Sequence, residues 1–295
     1  MTKPPKPADY ALALRPHQWL KNLLVFVPVL AAHDLSLQAF LLGLLTFLSF
    51  SLVASGVYVL NDLLDLQADR AHPRKRERPF ASGRLPLNHG FWMGPGLLVF
   101  GSIIAVVVGY ELLILLGAYF VATTAYSLAL KRRAVIDIIT LALLYTLRII
   151  AGAAATGIPL SVWLLAFSLF LFVALAAVKR QAELVDNAAH GRLAAAGRGY
   201  TIDDTPIISM IGISAGYVAV LVLALYVNSP EILILYRYPP LLWGVCVIVL
   251  FWITHIVLVT HRGGMDDDPL VFAVRDRTSL VCLVLIATLV ISSAK

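Results

Sequence analysis

Long uncharged apolar runs, each close to the length of a bilayer crossing, alternate with short polar connections along nearly the whole chain. Residues 35–60 are the clearest case, since no charged side chain interrupts them and about 20 apolar residues suffice to cross the hydrocarbon layer as a helix. Such runs predict nine membrane helices, at roughly 15–33, 36–64, 89–109, 112–130, 135–156, 160–183, 205–228, 239–260 and 273–293. The first is the weakest: Arg15 and Lys21 interrupt it, and its uncharged core, 23–32, would also suit a signal peptide. Gly157 and Pro159 supply the break between the fifth and sixth helices.

Composition agrees with this pattern. Hydrophobic residues make up 60% of the 295, charged residues only 14%, and mean hydropathy is +0.87, which excludes a soluble globule. Apart from Arg148, Arg237 and Lys295, all 23 Lys and Arg fall in the N-terminus, 65–88, 131–133, 179–204 and 261–277. The positive-inside rule places those segments in the cytoplasm, and with them the N-terminus. The net charge of +6 is therefore largely topological and does not indicate nucleic-acid binding. Cys246 and Cys282 lie in apolar runs and read as packing residues. The fold class is all-α, a polytopic membrane protein.

Candidate chemistry begins where the second predicted helix ends. Asn61, Asp62, Asp65 and Asp69 follow the apolar run, and the aspartates sit three and four residues apart, on one face of a continuing helix. Like charges stacked in this way become favourable around a divalent cation, and hard oxygen ligands suit Mg²⁺. The run His72-Pro73-Arg74-Lys75-Arg76-Glu77-Arg78-Pro79 follows, and Lys75, Arg76 and Arg78 could hold phosphate oxygens. Contact with anionic lipid heads is the competing use of the same charges. Arg148 stands inside the fifth helix, where an unpaired charge costs at least a few kcal/mol. Asp137, eleven residues earlier, is on the order of 16 Å away, too far for direct pairing. Arg148 is therefore read as facing a polar cavity, with an interhelical pair as the alternative. Lys179, Arg180 and Glu183 close the sixth helix, where Arg180 and Glu183 could simply pair at i,i+3. Lys131 is open between a site role and topology, Arg15, Gln18, Lys21 and Asn22 between substrate contact and an amphipathic surface helix, and Asp186 between metal ligation and a solvated loop. Asp266-Asp267-Asp268 reads as solvated or helix-capping, and His255 as a donor to a neighbouring helix.

The segment Asn61-Asp62-x-x-Asp65-x-x-x-Asp69, in its helix-to-loop setting, resembles the UbiA superfamily of intramembrane prenyltransferases over nearly the whole chain. The resemblance implies one transmembrane domain, 1–295, with nine helices around a central cavity open to the cytoplasmic side of the inner membrane. In the aromatic-substrate branches a second Asp-x-x-x-Asp motif follows the sixth helix, whereas here Lys179-Arg180-Gln181-Ala182-Glu183-Leu184-Val185-Asp186 occupies the place. The segments Arg15-Pro16-His17-Gln18-Trp19-Leu20-Lys21-Asn22, His72 to Pro79, Lys179 to Leu184 and Arg275-Asp276-Arg277, with Lys131, Asp137 and Arg148, are similar to the decaprenyl-phosphate phosphoribosyltransferase branch.

That resemblance implies transfer of 5-phosphoribose from phosphoribosyl pyrophosphate to a polyprenyl phosphate, with release of diphosphate. Mg²⁺ is the expected cofactor, held by Asp62, Asp65 and Asp69, and Asn61 completes the catalytic set. The expected substrate-binding set is Lys21, Asn22, Lys75, Arg76, Arg78, Tyr126, Lys131, Asp137, Arg148, Lys179, Arg180 and Glu183. Expected partners are the polyprenyl phosphate, the phosphosugar and membrane lipids. Two alternatives stay open: prenyl transfer from a prenyl diphosphate to an aromatic acceptor, and non-enzymatic lipid-phosphate transport.

Overall fold

The computed structural model describes residues 4–71, 75–193, 197–265 and 268–295. His72, Pro73, Arg74, Asp266 and Asp267 lie outside the described residues. Helices dominate, and among the described residues the only strand-like pairing is an isolated bridge between Tyr236 and Ala294. The chain divides into two compact units, one formed by Met1–Ser127 with Leu147–Pro159 and the other by Leu128–Thr146 with Leu160–Lys295.

The first unit contains α1 (Pro7–Leu14), a 3-10 helix (Pro16–Phe26), α2 (Val27–Ala31), α3 (Leu37–Leu64), α4 (Leu66–Ala71), α5 (Leu87–Val108) and α6 (Tyr110–Leu128). The expected first membrane helix is not a regular α-helix. Pro16 and Pro28 punctuate it, Arg15 turns through a left-handed conformation (φ 52°), and Lys21 and Asn22 are buried in it. Ser36 caps α3 through a 3.2 Å bond from the Ala39 N–H, and the absence of charge up to Asp62 lets the helix run for 28 residues.

Helices α3 and α5 pack closely through small residues. A Cβ on Gly101 would lie 2.7 Å from Val53 Cγ2, one on Gly94 would lie 2.9 Å from Leu60, and the Ser49 hydroxyl donates to the Gly101 carbonyl at 2.8 Å. Small residues and short polar bonds are how helices associate where lipid removes the hydrophobic drive between them.

Helix α7 (Ile136–Thr156) contributes its first half to the second unit and its second half to the first. It ends at Gly157 (φ 70°), and α8 (Val162–Ala189) starts after Pro159 on a Ser161 cap, as the sequence predicts. The second unit continues with α9 (Thr205–Val227), α10 (Ile232–Leu235), α11 (Leu242–His261), α12 (Pro269–Ala273) and α13 (Arg277–Ser293). Val245, Val249 and Ile253 of α11 form its core with Ile232 and Tyr236. The two cysteines are buried and free.

Among the described residues seven helices are long and apolar enough to cross a membrane. They are α3, α5, α6, α7, α8, Ile202–Val227 (α9 with its 3-10 lead-in) and Pro239–His261 (α11 with its own). Helix α13 is apolar but has only 17 residues. Seven of the nine expected spans reach this length among the described residues; the first expected segment is irregular and the last, α13, is shorter.

Candidate functional site

The end of α3 gathers charge in the first unit. Asp62 is buried, and its Oδ1 accepts from Arg15 Nη2 at 2.6 Å and from Arg78 Nη1 at 3.1 Å. The same Arg78 nitrogen donates to Asp69 Oδ2 at 2.6 Å, so a single guanidinium nitrogen bridges the two carboxylates. Arg15 reaches Asp62 from the turn between α1 and the 3-10 helix, with its guanidinium 4.9 Å from the Tyr58 ring centre. Asn61 donates to the Ser127 hydroxyl at 3.1 Å, which fixes its amide against α6.

The three aspartates differ in burial. Helix α3 stops at Leu64, Asp65 lies at the break before α4 and is exposed, and only Asp62 and Asp69 turn inward. Among the described residues no three His, Cys, Asp or Glu side chains converge as metal ligands. Asp62 Oδ2 is nevertheless buried with no hydrogen-bond partner. An unpartnered buried carboxylate oxygen is costly and is a natural ligand position. Mg²⁺ commonly takes only one or two carboxylates and completes its shell with water and phosphate oxygens, so the Asp62–Asp69 pair fits it. Lys75 and Arg76 are exposed, with Arg76 near Glu77 at 3.6 Å, and Tyr126 is half-buried on α6.

A second polar group of this unit lies within the apolar layer. Arg148 is buried; its Nε donates to Asn22 Oδ1 at 2.8 Å and its Nη2 to the Tyr119 hydroxyl at 3.1 Å, with the guanidinium 4.8 Å from the Tyr119 ring centre. Asn22 in turn donates to the Ser51 hydroxyl at 3.1 Å. These two bonds link Arg148 of α7 to α6 and to the 3-10 segment. Lys21, also buried, donates to Gln18 at 2.7 Å.

In the second unit Asp137 is fully buried at the start of α7, and Arg180 approaches it at 2.9 Å and Arg198 at 3.1 Å. Arg180 also pairs with Glu183 one turn along α8, and Arg198 lies 3.9 Å from Glu183. Residues 198–200 are fixed to the turn before α7. A Cβ on Gly199 would lie 2.6 Å from the Arg132 carbonyl oxygen, and the Tyr200 hydroxyl accepts from the Val135 N–H at 2.8 Å. Val135 is held there at φ 65°, a strained conformation for a β-branched residue. Burial pushes the Tyr200 phenol up, so it stays protonated. Lys131 is half-buried in the same turn. Lys179 pairs at 3.2 Å with Asp268, which also caps α12. Asp186 is exposed near His190 and Arg192 but lies in the last turns of α8, so it is solvated on a helix and not in the loop the sequence suggested. His255 meets Asp276 at 3.2 Å, the helix-to-helix bond the sequence suggested.

Arg198 escaped the sequence reading. It stands in a polar loop between Gly197 and Gly199, far in sequence from Asp137, and no local pattern signals it. Tyr119 and Ser127 were also silent, as uncharged residues inside apolar runs.

Apolar helices of spanning length, with buried acid–base clusters at their ends, define an all-α integral membrane protein. The UbiA prenyltransferase family model matches residues 22–273. Nodulation protein NoeC of Azorhizobium caulinodans is 43% identical over 280 residues, covering 93% of this chain and 89% of that protein. The decaprenyl-phosphate phosphoribosyltransferase of Mycolicibacterium smegmatis is 39% identical over 182 residues, a match covering 58% of this chain and 56% of that relative's length. The solved structure of a UbiA homolog from Archaeoglobus fulgidus bound to GPP and Mg²⁺ superposes with a TM-score of 0.70 at 15% identity, covering 96% of this chain and 99% of that one. The chain belongs to the UbiA prenyltransferase family and is a membrane enzyme.

Proposed function

We propose that the chain transfers 5-phosphoribose from phosphoribosyl pyrophosphate to a polyprenyl phosphate, releasing diphosphate, at the cytoplasmic face of the inner membrane. The observation that carries the reading is the charge set at the end of α3: the buried pair Asp62 and Asp69, one Asp62 oxygen without a partner, and Arg15 and Arg78 around them. Similarity to the decaprenyl-phosphate phosphoribosyltransferases supports the choice of donor. So does α8, which carries Lys179, Arg180 and Glu183 where an aromatic prenyltransferase is expected to carry a second aspartate pair.

Asp62 and Asp69 would hold Mg²⁺, which when bound supplies charge neutralisation for a departing diphosphate. Arg15 and Arg78 present guanidinium groups that match phosphate oxygens and exchange their carboxylate bonds for them. Asn61, fixed by Ser127, keeps the end of α3 in register. The attacking oxygen belongs to a phosphate monoester that is already anionic near neutral pH, so positioning matters more than a general base. Lys75 and Arg76, exposed in the loop that carries Arg78, add positive charge for phosphate oxygens. The apolar exterior leaves the prenyl tail in lipid.

The test uses membranes containing the chain, polyprenyl phosphate and phosphoribosyl pyrophosphate labelled in the ribose. Label is expected in the organic-soluble lipid only when Mg²⁺ is present. Label in an aromatic acceptor from prenyl diphosphate, with none in polyprenyl phosphate, would assign ordinary prenyl transfer instead.

A further inference from the structure

Helices α11 and α13 leave a groove of about 560 Å³ between them, on the outside of the second unit. Val247 and Phe251 of α11 and Val281, Cys282 and Leu285 of α13 form its wall, and Arg277 stands at one end. Arg277 is exposed and makes no hydrogen bond or ion pair among the described residues. The neighbouring carboxylate is engaged: Asp276 accepts from the Ser279 N–H and hydroxyl at 2.8 Å each and meets His255 at 3.2 Å. The groove thus combines an apolar wall with one cation that has no carboxylate partner among the described residues.

The dimensions match one lipid. From Arg277 to Leu285 the helix rises about 12 Å, close to the roughly 15 Å hydrocarbon depth of a single leaflet. The whole of α13 rises only about 26 Å, less than the ~30 Å hydrocarbon thickness, so its first residue is held at the level of the headgroups. Charge complementarity then selects the occupant. An anionic headgroup meets Arg277 and the N-terminal end of the α13 dipole, while a zwitterionic one brings its own cation to the same place.

We propose that the α11–α13 groove is a binding site for one anionic glycerophospholipid, its phosphate on Arg277 and an acyl chain along Phe251, Val281 and Leu285. The site is separate from the charge cluster at the end of α3 and stands whether or not the proposed transfer reaction is correct.

Native mass spectrometry of the detergent-solubilised full chain, titrated with phosphatidylglycerol or phosphatidylcholine, tests this. Wild type is expected to hold one phosphatidylglycerol about five-fold more tightly than phosphatidylcholine, the size of effect one surface cation gives. Arg277→Gln should erase that preference, and Arg133→Gln, a control at another exposed cation, should keep it. Val281→Trp, which fills the groove and leaves the cation in place, should remove the bound lipid altogether. An unchanged preference in Arg277→Gln, or equal affinity for the two lipids in wild type, overturns the proposal. Tighter retention of polyprenyl phosphate than of phosphatidylglycerol, abolished by Val281→Trp, overturns the phospholipid assignment and gives the groove to the substrate.

Discussion

Arg78→Gln is the most informative perturbation of the cluster at the end of α3, because one nitrogen of Arg78 serves both carboxylates, at 3.1 Å from Asp62 and 2.6 Å from Asp69. The gross attraction of each pair is about 5 kcal/mol at an effective dielectric of 20. Breaking a buried pair typically costs about 3–5 kcal/mol. Arg78 is 27% exposed and Arg15 remains on Asp62, so the net loss should be smaller, about 2–3 kcal/mol. For a chain of this length that lowers the melting temperature by about 4 °C. Saturating Mg²⁺ should restore most of the loss, because the cation takes over the neutralisation of Asp62 and Asp69. Diphosphate should protect the variant less than wild type, since a guanidinium that would bind it is gone. The assay is thermal unfolding in detergent with a Mg²⁺ series, with and without diphosphate. A variant that melts with wild type throughout the series would refute the view that Arg78 and a metal share these carboxylates.

Three further outcomes follow from the packing. Gly152→Ala would put a Cβ 2.0 Å from the Val25 carbonyl oxygen and should cost about 1–3 kcal/mol in a thermal melt, whereas Gly96→Ala, with open space around it, should be neutral. Arg198→Gln removes one of the two arginines on buried Asp137, so chymotrypsin should cut after Tyr200 (3% exposed) faster than in wild type; unchanged cleavage would show that the loop does not depend on this pair. Burial opposes ionisation of Asp276, but hydrogen bonds from the Ser279 hydroxyl and N–H and from His255 outweigh it and hold the carboxyl below its usual range. A depressed carboxylate contributes stability that is present above its unfolded pKa, near 3.9, and lost as pH falls through the folded value. Asp276→Asn should therefore melt lower than wild type at pH 7, with the gap closing below about pH 4.

The helical architecture was legible because apolar runs of spanning length leave little choice of structure in a membrane. The break at Gly157 and Pro159, the capping role of Asp268, the Arg180–Glu183 pair and the bond from His255 to Asp276 were all readable from local chemistry. The reading failed where local periodicity yielded to tertiary demands. Helical spacing put three aspartates together, but it gave no sign that Asp62 and Asp69 would be buried against Arg15 and Arg78, from outside α3, while Asp65 stays exposed. Asn22 and Tyr119, which bond Arg148 inside the first unit, are uncharged residues that carry no signal in the sequence. The first segment resembled a helix by composition, yet its prolines and its buried Lys21 and Asn22 impose a tighter, irregular path.

The central claim concerns which bond breaks, and a double-label experiment addresses it most directly. Phosphoribosyl pyrophosphate carrying one label in the ribose and another in the β-phosphorus is incubated with polyprenyl phosphate, Mg²⁺ and the chain. The account predicts ribose label in the lipid, β-phosphorus label in soluble diphosphate, and neither product from Asp62→Asn. Ribose label that stays soluble with wild type, or transfer that persists undiminished in Asp62→Asn, would contradict it.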